Sequence, residues 1–219
     1  MTAIILLAAG ESSRFGSPKQ LVRLGGETLL RRAARTAMES GIGPVTVVLG
    51  AVARPCRTAL AGLAVKILNN PEWKEGMASS IVAGVHSLSG KSVEGALILL
   101  ADQPGVTAQH LRELLSLGSA SRNHIVASRY AGQLGVPAWF SHHKFPDMLR
   151  LKGAKGAREV ILREPGTAWI DWPRAALDVD TPEDLTRVSL ALGLDGGPDF
   201  REASAAPVAA GNFQPATNP

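Results

Sequence analysis

Apolar positions in this chain gather into short unbroken runs, and the stretches between them change to a helical rhythm. Runs at 3–8, 45–49, 64–68 and 95–101 read as strands. Between them lie helical patterns at 28–40, closed by Gly41, and at 78–88, where Met77, Ile81, Val82 and Val85 fall near one face. A further helix is predicted over 108–117, with Thr107 as its N-cap, and another over 156–163. Shorter strands are expected at 125–128, 136–140, 168–170 and 176–179. The last helix runs to Leu192, with Thr181 as N-cap, Pro182 at its first position and Glu183 and Asp184 in its first turn. Strands alternating with helices in this way predict a three-layer α/β/α, Rossmann-like fold around a mostly parallel sheet.

The chain has 219 residues, enough for one full α/β domain and short for two. After Leu194 the composition turns to Gly, Ala, Pro and Asn, which predicts one domain over 1–194 and a disordered tail over 195–219. Charge changes the picture locally. The net charge is only +4, yet residues 1–60 carry eight Lys and Arg against three Asp and Glu. Without dense basic runs or interleaved aromatics, that excess suits a small anionic ligand and not a nucleic acid. One cysteine, Cys56, excludes an internal disulfide or a thiolate cluster, and it reads as a helix-packing residue. No charged leader and no apolar run of roughly 18 residues is present, so no membrane partner and a cytoplasmic location are expected.

Candidate chemistry falls where strands end. After the first run come Gly10, Glu11, Ser12, Ser13, Arg14, Gly16, Pro18 and Lys19. A strand feeding a small polar loop can turn backbone N–H groups on an anion, with Arg14 and Lys19 supplying cations for a triphosphate. The spacing is neither that of a dinucleotide fingerprint nor that of a P-loop. Asp102 ends the most apolar strand just before Pro104, as a metal ligand or a turn residue. Asp178 and Asp180, alternating on a strand, would share one face and could share a metal. Asp180 reads equally as part of the last helix's cap. Asn70 with Ser80 offers amide and hydroxyl groups to a base or ribose, or ordinary capping. His142 and His143 read as a surface helix start, His86 and His110 as helix-edge or solvent-facing residues, and His124 as a loop or strand start. No Ser-His-Asp or Cys-His arrangement is evident.

Over 4–192 these clusters, in this order, resemble the molybdenum cofactor cytidylyltransferase-like branch of the nucleoside-triphosphate transferase superfamily. The opening loop has that family's L-A-A-G-x-S-x-R-x-G-x-x-K form. Asn70-Pro71 with Gly76-Met77 and Ser80 resembles its N-P and G-M-x-x-S segments. Asp102-Gln103-Pro104 resembles its D-x-P element, and 178–184 its D-x-D-T-P-x-D close. Ala9 resembles the cytidylyl enzymes, where guanylyl relatives tend to have a second glycine. Two positions depart: Val136 stands where G-H-P has histidine, and Ala154 where L-x-G-D-x-G-A-R has aspartate.

The resemblance implies a nucleotidyltransferase domain that moves CMP from CTP to the phosphate of molybdopterin or molybdenum cofactor, releasing pyrophosphate. Leu7, Ala8, Ala9, Gly10, Glu11, Ser12, Ser13, Arg14, Lys19, Asn70 and Ser80 would bind nucleotide. Arg14, Lys19 and Asp102 would carry catalysis, and Asp102 with Asp178 or Asp180 would hold Mg²⁺. The implied partners are CTP, a phosphorylated pterin and a molybdenum hydroxylase that receives the product. The alternatives are cytidylyl or guanylyl transfer to another phosphorylated acceptor, such as methylerythritol phosphate, and a non-catalytic cofactor-insertion chaperone.

Overall fold

Strand β1 (Thr2–Ala8) is buried along its whole length, so both of its faces need apolar partners. The computed structural model, which describes residues 1–12, 15, 17–120 and 123–194, supplies them by placing β1 inside a seven-stranded sheet. Ser13, Arg14, Gly16 and the tail 195–219 lie outside the described residues.

The order across the sheet is β5 (Lys66–Asn69), β4 (Val45–Leu49), β1, β6 (Gly95–Leu100), β8 (Gln133–Ser141), β7 (Ile125–Tyr130) and β9 (Ala168–Asp171). All run one way except β8, which is antiparallel to both β6 and β7. The mostly parallel reading therefore holds, with one reversed strand that apolar patterning alone did not separate from its neighbours. The reversal is made by a two-residue hairpin, Ala131 and Gly132, both at positive φ.

Alternation along β1 divides the core. Ile5 and Leu7 pack with Ala78, Ile81 and Val85 of α3 (Met77–His86) on one face. Ile4, Leu6 and Ala8 pack on the other with Leu30 and Ala34 of α1 (Leu29–Glu39) and Cys56 of α2 (Ala53–Ala59). Leu111 and Leu114 of α4 (Ala108–Ala120) join that second face. The short helices α5 (Phe145–Leu149) and α6 (Ala157–Arg163) cover the first. A third cluster joins Phe15, Val22, Leu24 and Leu29 to Val179, Leu185 and Val188, so α7 (Pro182–Leu192) packs directly beneath the opening loop.

Four expectations need correction. The third strand is displaced to Lys66–Asn69. The segment 176–179 is not a strand: Pro173 opens a 3-10 turn, Pro173–Ala176, and the chain then runs irregularly into the last helix. Asp178 and Asp180 thus do not alternate on a sheet. Helix α2 and the small ribbon β2 (Arg23–Leu24) with β3 (Glu27–Thr28) went unread, being short and without clear period. His110 is fully buried instead of lying at a helix edge, whereas His86 and His124 are exposed.

Candidate active site

The strand ends meet at a cleft of about 330 Å³ walled largely by apolar side chains. Leu7, Ala8, Ala9, Gly10 and Glu11 line it together with Lys19, Asp102, Met77 and Ser80. Of the residues singled out above, these border the cleft. Asn70 does not. It is buried, and its amide nitrogen donates to Ser79 Oγ (2.8 Å) and Ser80 Oγ (3.0 Å), while its oxygen accepts from the Glu72 N–H. Its amide nitrogen therefore orients the serine that reaches the cleft.

The opening loop is shaped by a residue that the sequence reading passed over. Gln20 is buried, and its amide donates to the carbonyls of Gly10 (2.6 Å) and Ala8 (3.4 Å) and accepts from the Ser12 hydroxyl (3.1 Å). With those carbonyls held inward, the loop follows a fixed path, and Ser12 takes a positive φ of 61°. Pro18 precedes the 3-10 turn Lys19–Leu21, which sets Gln20 under the loop and Lys19 into the cleft.

Lys19 Nζ lies 2.5 Å from Asp102 Oδ2 and 2.9 Å from Asp180 Oδ1. Burial alone would lower its pKa, but the two carboxylates outweigh that and hold the ammonium above its ordinary value. Asp102 is fixed by the carboxyl end of β6, and its main-chain carbonyl accepts from the Val179 N–H (3.0 Å). That bond ties the segment bearing Asp178 and Asp180 to the strand end. Asp178 has its pKa raised by burial and by the nearby charges of Asp180, Asp102 and Asp184. The site is thus richer in carboxylates than in cations.

Whether these groups suit a divalent ion can be judged from Asp102. Its Oδ1 is buried with no hydrogen-bond partner among the described residues. Among the described residues, no three His, Cys, Asp or Glu side chains converge as a complete ion-binding set. The orphaned oxygen fits a divalent ion that takes one or two carboxylates and fills its remaining positions with phosphate oxygens and water. Lys19 occupies Asp102 Oδ2 and Asp180 Oδ1, which leaves Asp102 Oδ1 and the Asp178 carboxylate as the oxygens that would hold such an ion.

The far wall adds Trp73 and Lys74, also missed, from the 3-10 turn Trp73–Glu75. Gly50 makes room for this wall: a Cβ there would lie 2.5 Å from the Ala9 carbonyl and 2.7 Å from Trp73 Cβ. Gly76 closes the turn at a φ of 107°, and a Cβ on it would lie 2.4 Å from the Gly153 carbonyl. The segment containing Ala154 therefore sits against the start of α3 at the rim of the cleft. Motif spacing would have marked Gln20 and Trp73 only as companions of Lys19 and Gly76.

Known proteins resemble the chain over most of its length. The chain is 29% identical over 209 residues to the purine catabolism protein PucB of Bacillus subtilis, covering 86% of this chain and 96% of PucB. It is 27% identical over 212 residues to a probable molybdenum cofactor guanylyltransferase of Chloroflexus aggregans, covering 88% and 96%. The crystal structure of Rv0371c from Mycobacterium tuberculosis in complex with manganese superposes with a TM-score of 0.72 at 29% identity, over 87% of this chain and 98% of that one. The model of the MobA-like NTP transferase domain matches residues 4–168, and the chain belongs to that family of nucleotidyltransferases.

Proposed function

We propose that the protein transfers a cytidylyl group from CTP to the phosphate of a molybdopterin-type pterin, with release of pyrophosphate and with Mg²⁺ as its ion. The observation that carries this reading is the Lys19 ammonium bridging Asp102 and Asp180, with Lys19 and Asp102 bordering the same cleft as the Ala9–Gly10 loop. Cation, carboxylates and a Gln20-braced loop stand together where a triphosphate and a second anion would meet.

In this reading the loop backbone and Arg14 hold the β- and γ-phosphates, and Ser80, aimed by Asn70, meets the nucleoside. Lys19 swings from its carboxylates to the α-phosphate, where it offsets the charge that grows during transfer. A Mg²⁺ ion on Asp102 and Asp178 would supply neutralisation of phosphate charge. An acceptor phosphate oxygen forms the new bond to the α-phosphorus as the bond to the bridging oxygen breaks, and the electron pair leaves with pyrophosphate. The acceptor is ionised near neutral pH, its second pKa being about 6, so no side chain need remove a proton. Catalysis then comes from positioning and charge. The name of the Chloroflexus relative supports a molybdenum cofactor acceptor but carries a guanylyl donor, so the reading of cytosine rests on the resemblance of Ala9 to the cytidylyl enzymes.

Ala154, exposed at the rim where the resembling enzymes carry an aspartate, favours a second reading: a binding protein that hands cofactor to an acceptor enzyme without turnover. Pyrophosphate release separates the two. CTP and GTP are each tested with molybdopterin, its metal-loaded form and methylerythritol phosphate. Release with CTP and a pterin supports transfer. Release only with GTP, or only with methylerythritol phosphate, moves the assignment within the family. Nucleotide binding without release for any acceptor supports the carrier.

A further inference from the structure

The carboxylates of the site come from two distant parts of the chain, and besides Lys19, which bridges Asp102 and Asp180, a buried amide fastens the two together. Asp102 leaves β6, whereas Asp178 and Asp180 sit on the strap 172–180 between β9 and α7. The segment 102–105 and this strap run side by side. Main-chain bonds secure one end, where the Val179 N–H donates to the Asp102 carbonyl (3.0 Å). At the other end Trp172 Nε1 donates to the Gly105 carbonyl (3.2 Å). Between them lies Gln103, only 5% exposed.

The Gln103 amide nitrogen donates to the carbonyl of Ala175 in the strap (3.1 Å) and to that of Val136 on β8 (3.1 Å). The Tyr130 hydroxyl stands 3.3 Å from the same nitrogen and itself donates to Val136 (2.9 Å). Among the described residues, no other side chain of 102–105 donates to the strap. Gln103 Oε1 is buried with no partner among the described residues, and an orphaned buried acceptor is unfavourable. An apolar residue of the same size would avoid that cost but would leave the Ala175 carbonyl without its donor. A residue that breaks a local rule at a functional site fits a part kept for where it puts its neighbours.

We infer that Gln103 is a positioning residue, which sets the separation between Asp102 and the carboxylates of the strap and so tunes the affinity of the site for a divalent cation. The inference rests on the reading above that Asp102 and Asp178 hold such an ion. An ionised glutamate could not substitute, because it has no donor and would set a further negative charge beside Asp102 and against two carbonyl oxygens. Leucine keeps the volume and loses the latch.

The test is titration of the full-length protein with Mn²⁺, followed by the EPR signal of the free ion, with and without CTP. Wild type is compared with Gln103→Leu and with Gln103→Met, whose length and volume keep the fold should leucine disturb it. The expected result is Mn²⁺ affinity weakened about tenfold in both variants. The metal concentration for half-maximal pyrophosphate release rises in step, and turnover at saturating metal stays within about twofold. A purely structural role would lower the melting temperature without moving metal affinity. Unchanged Mn²⁺ affinity in a folded variant overturns the role of Gln103 and leaves the metal reading standing. Failure of wild type to bind Mn²⁺, even with CTP, overturns the metal reading and this inference with it.

Discussion

Lys19 has two tasks that compete for one ammonium. In the structure it pairs with Asp102 and Asp180, and in the proposed reaction it must serve the α-phosphate. Its loss should therefore act on turnover more than on nucleotide binding. Lys19→Met is expected to cost roughly 3–4 kcal/mol of transition-state stabilisation, a fall in kcat of about 10²–10³, by analogy with removal of one donor to a developing oxyanion. Steady-state pyrophosphate release with CTP affinity from calorimetry checks this, and wild-type turnover in the variant would remove Lys19 from the reaction. Trp73 gives a second test at the same scale. Its ring borders the cleft with the Lys74 ammonium 5.5 Å from the centroid, whereas Trp139 is buried and Trp172 is stacked on His110. CTP should quench indole fluorescence, Trp73→Phe should abolish most of that quenching, and Trp73→Ala should weaken binding by about 1 kcal/mol. Quenching that survives in Trp73→Phe would place the nucleoside elsewhere.

The element that carries Asp180 is held by a reciprocal cap. Thr181 Oγ1 accepts from the Asp184 N–H, and Asp184 Oδ2 accepts from the N–H groups of Thr181 (2.9 Å) and Asp180 (3.1 Å). Burial would raise the Asp184 pKa, but Arg187 and these donors outweigh it and hold the carboxyl low. Asp184→Ala should cost about 1 kcal/mol, or roughly 2–4 °C in the melting temperature of a domain this size. It should also lower activity more than the cap variant Ser141→Ala, whose serine pairs with Gly95 at the end of β6 away from Asp102, because Asp180 loses its backbone anchor; equal losses would show that the cap serves the helix alone. This end of the chain also shows how far the sequence could be read. The cap was legible because Thr, Pro and two acids in that order have one physical use, and β1, β4 and β6 were legible because strands buried on both faces must be apolar throughout. The strap was misread because Ala176, Leu177, Asp178 and Val179 imitate a strand's alternation, while Pro173 and the ties to 102–105 impose another path. Lys19, Asp102 and Asp180 stood out as charges at strand and helix ends. Gln20 and Gln103 did not, because a buried amide has no signature until its carbonyl partners are known.

At the scale of the whole molecule, the two halves of the sheet do different work. The parallel half, β5 to β6, presents the loop and Asp102; the half built on the reversed strand β8 holds the strap through α4 and Trp172. His110 is central to that second half. It is fully buried on α4, stacked on Trp172 at 4.3 Å, with Nε2 2.7 Å from Ser128 Oγ. Ser128 spends its proton on the Pro137 carbonyl (2.6 Å), so Nε2 must be the donor, and Nδ1 is left unprotonated and without a partner among the described residues. Burial pushes the pKa down to about 4, against about 6.5 in an unfolded chain. Between those values the unfolded chain binds a proton that the folded protein refuses. Stability from this group is therefore complete above about pH 6.5 and is lost as pH falls towards 4, to a total on the order of 3 kcal/mol. Urea unfolding at steps from pH 7.5 to 4.5 should show wild type losing more stability than His110→Gln, with a slope difference approaching about 1.4 kcal/mol per pH unit within the window. Parallel slopes would mean that His110 can accept a proton in place. The loss should reach the site as well: Trp172 begins the strap, so acid that drives His110 from its stack should loosen the hold on Asp178 and Asp180. Mn²⁺ affinity should accordingly fall more steeply with acid in wild type than in His110→Gln, even though the ring lies on a helix outside the cleft.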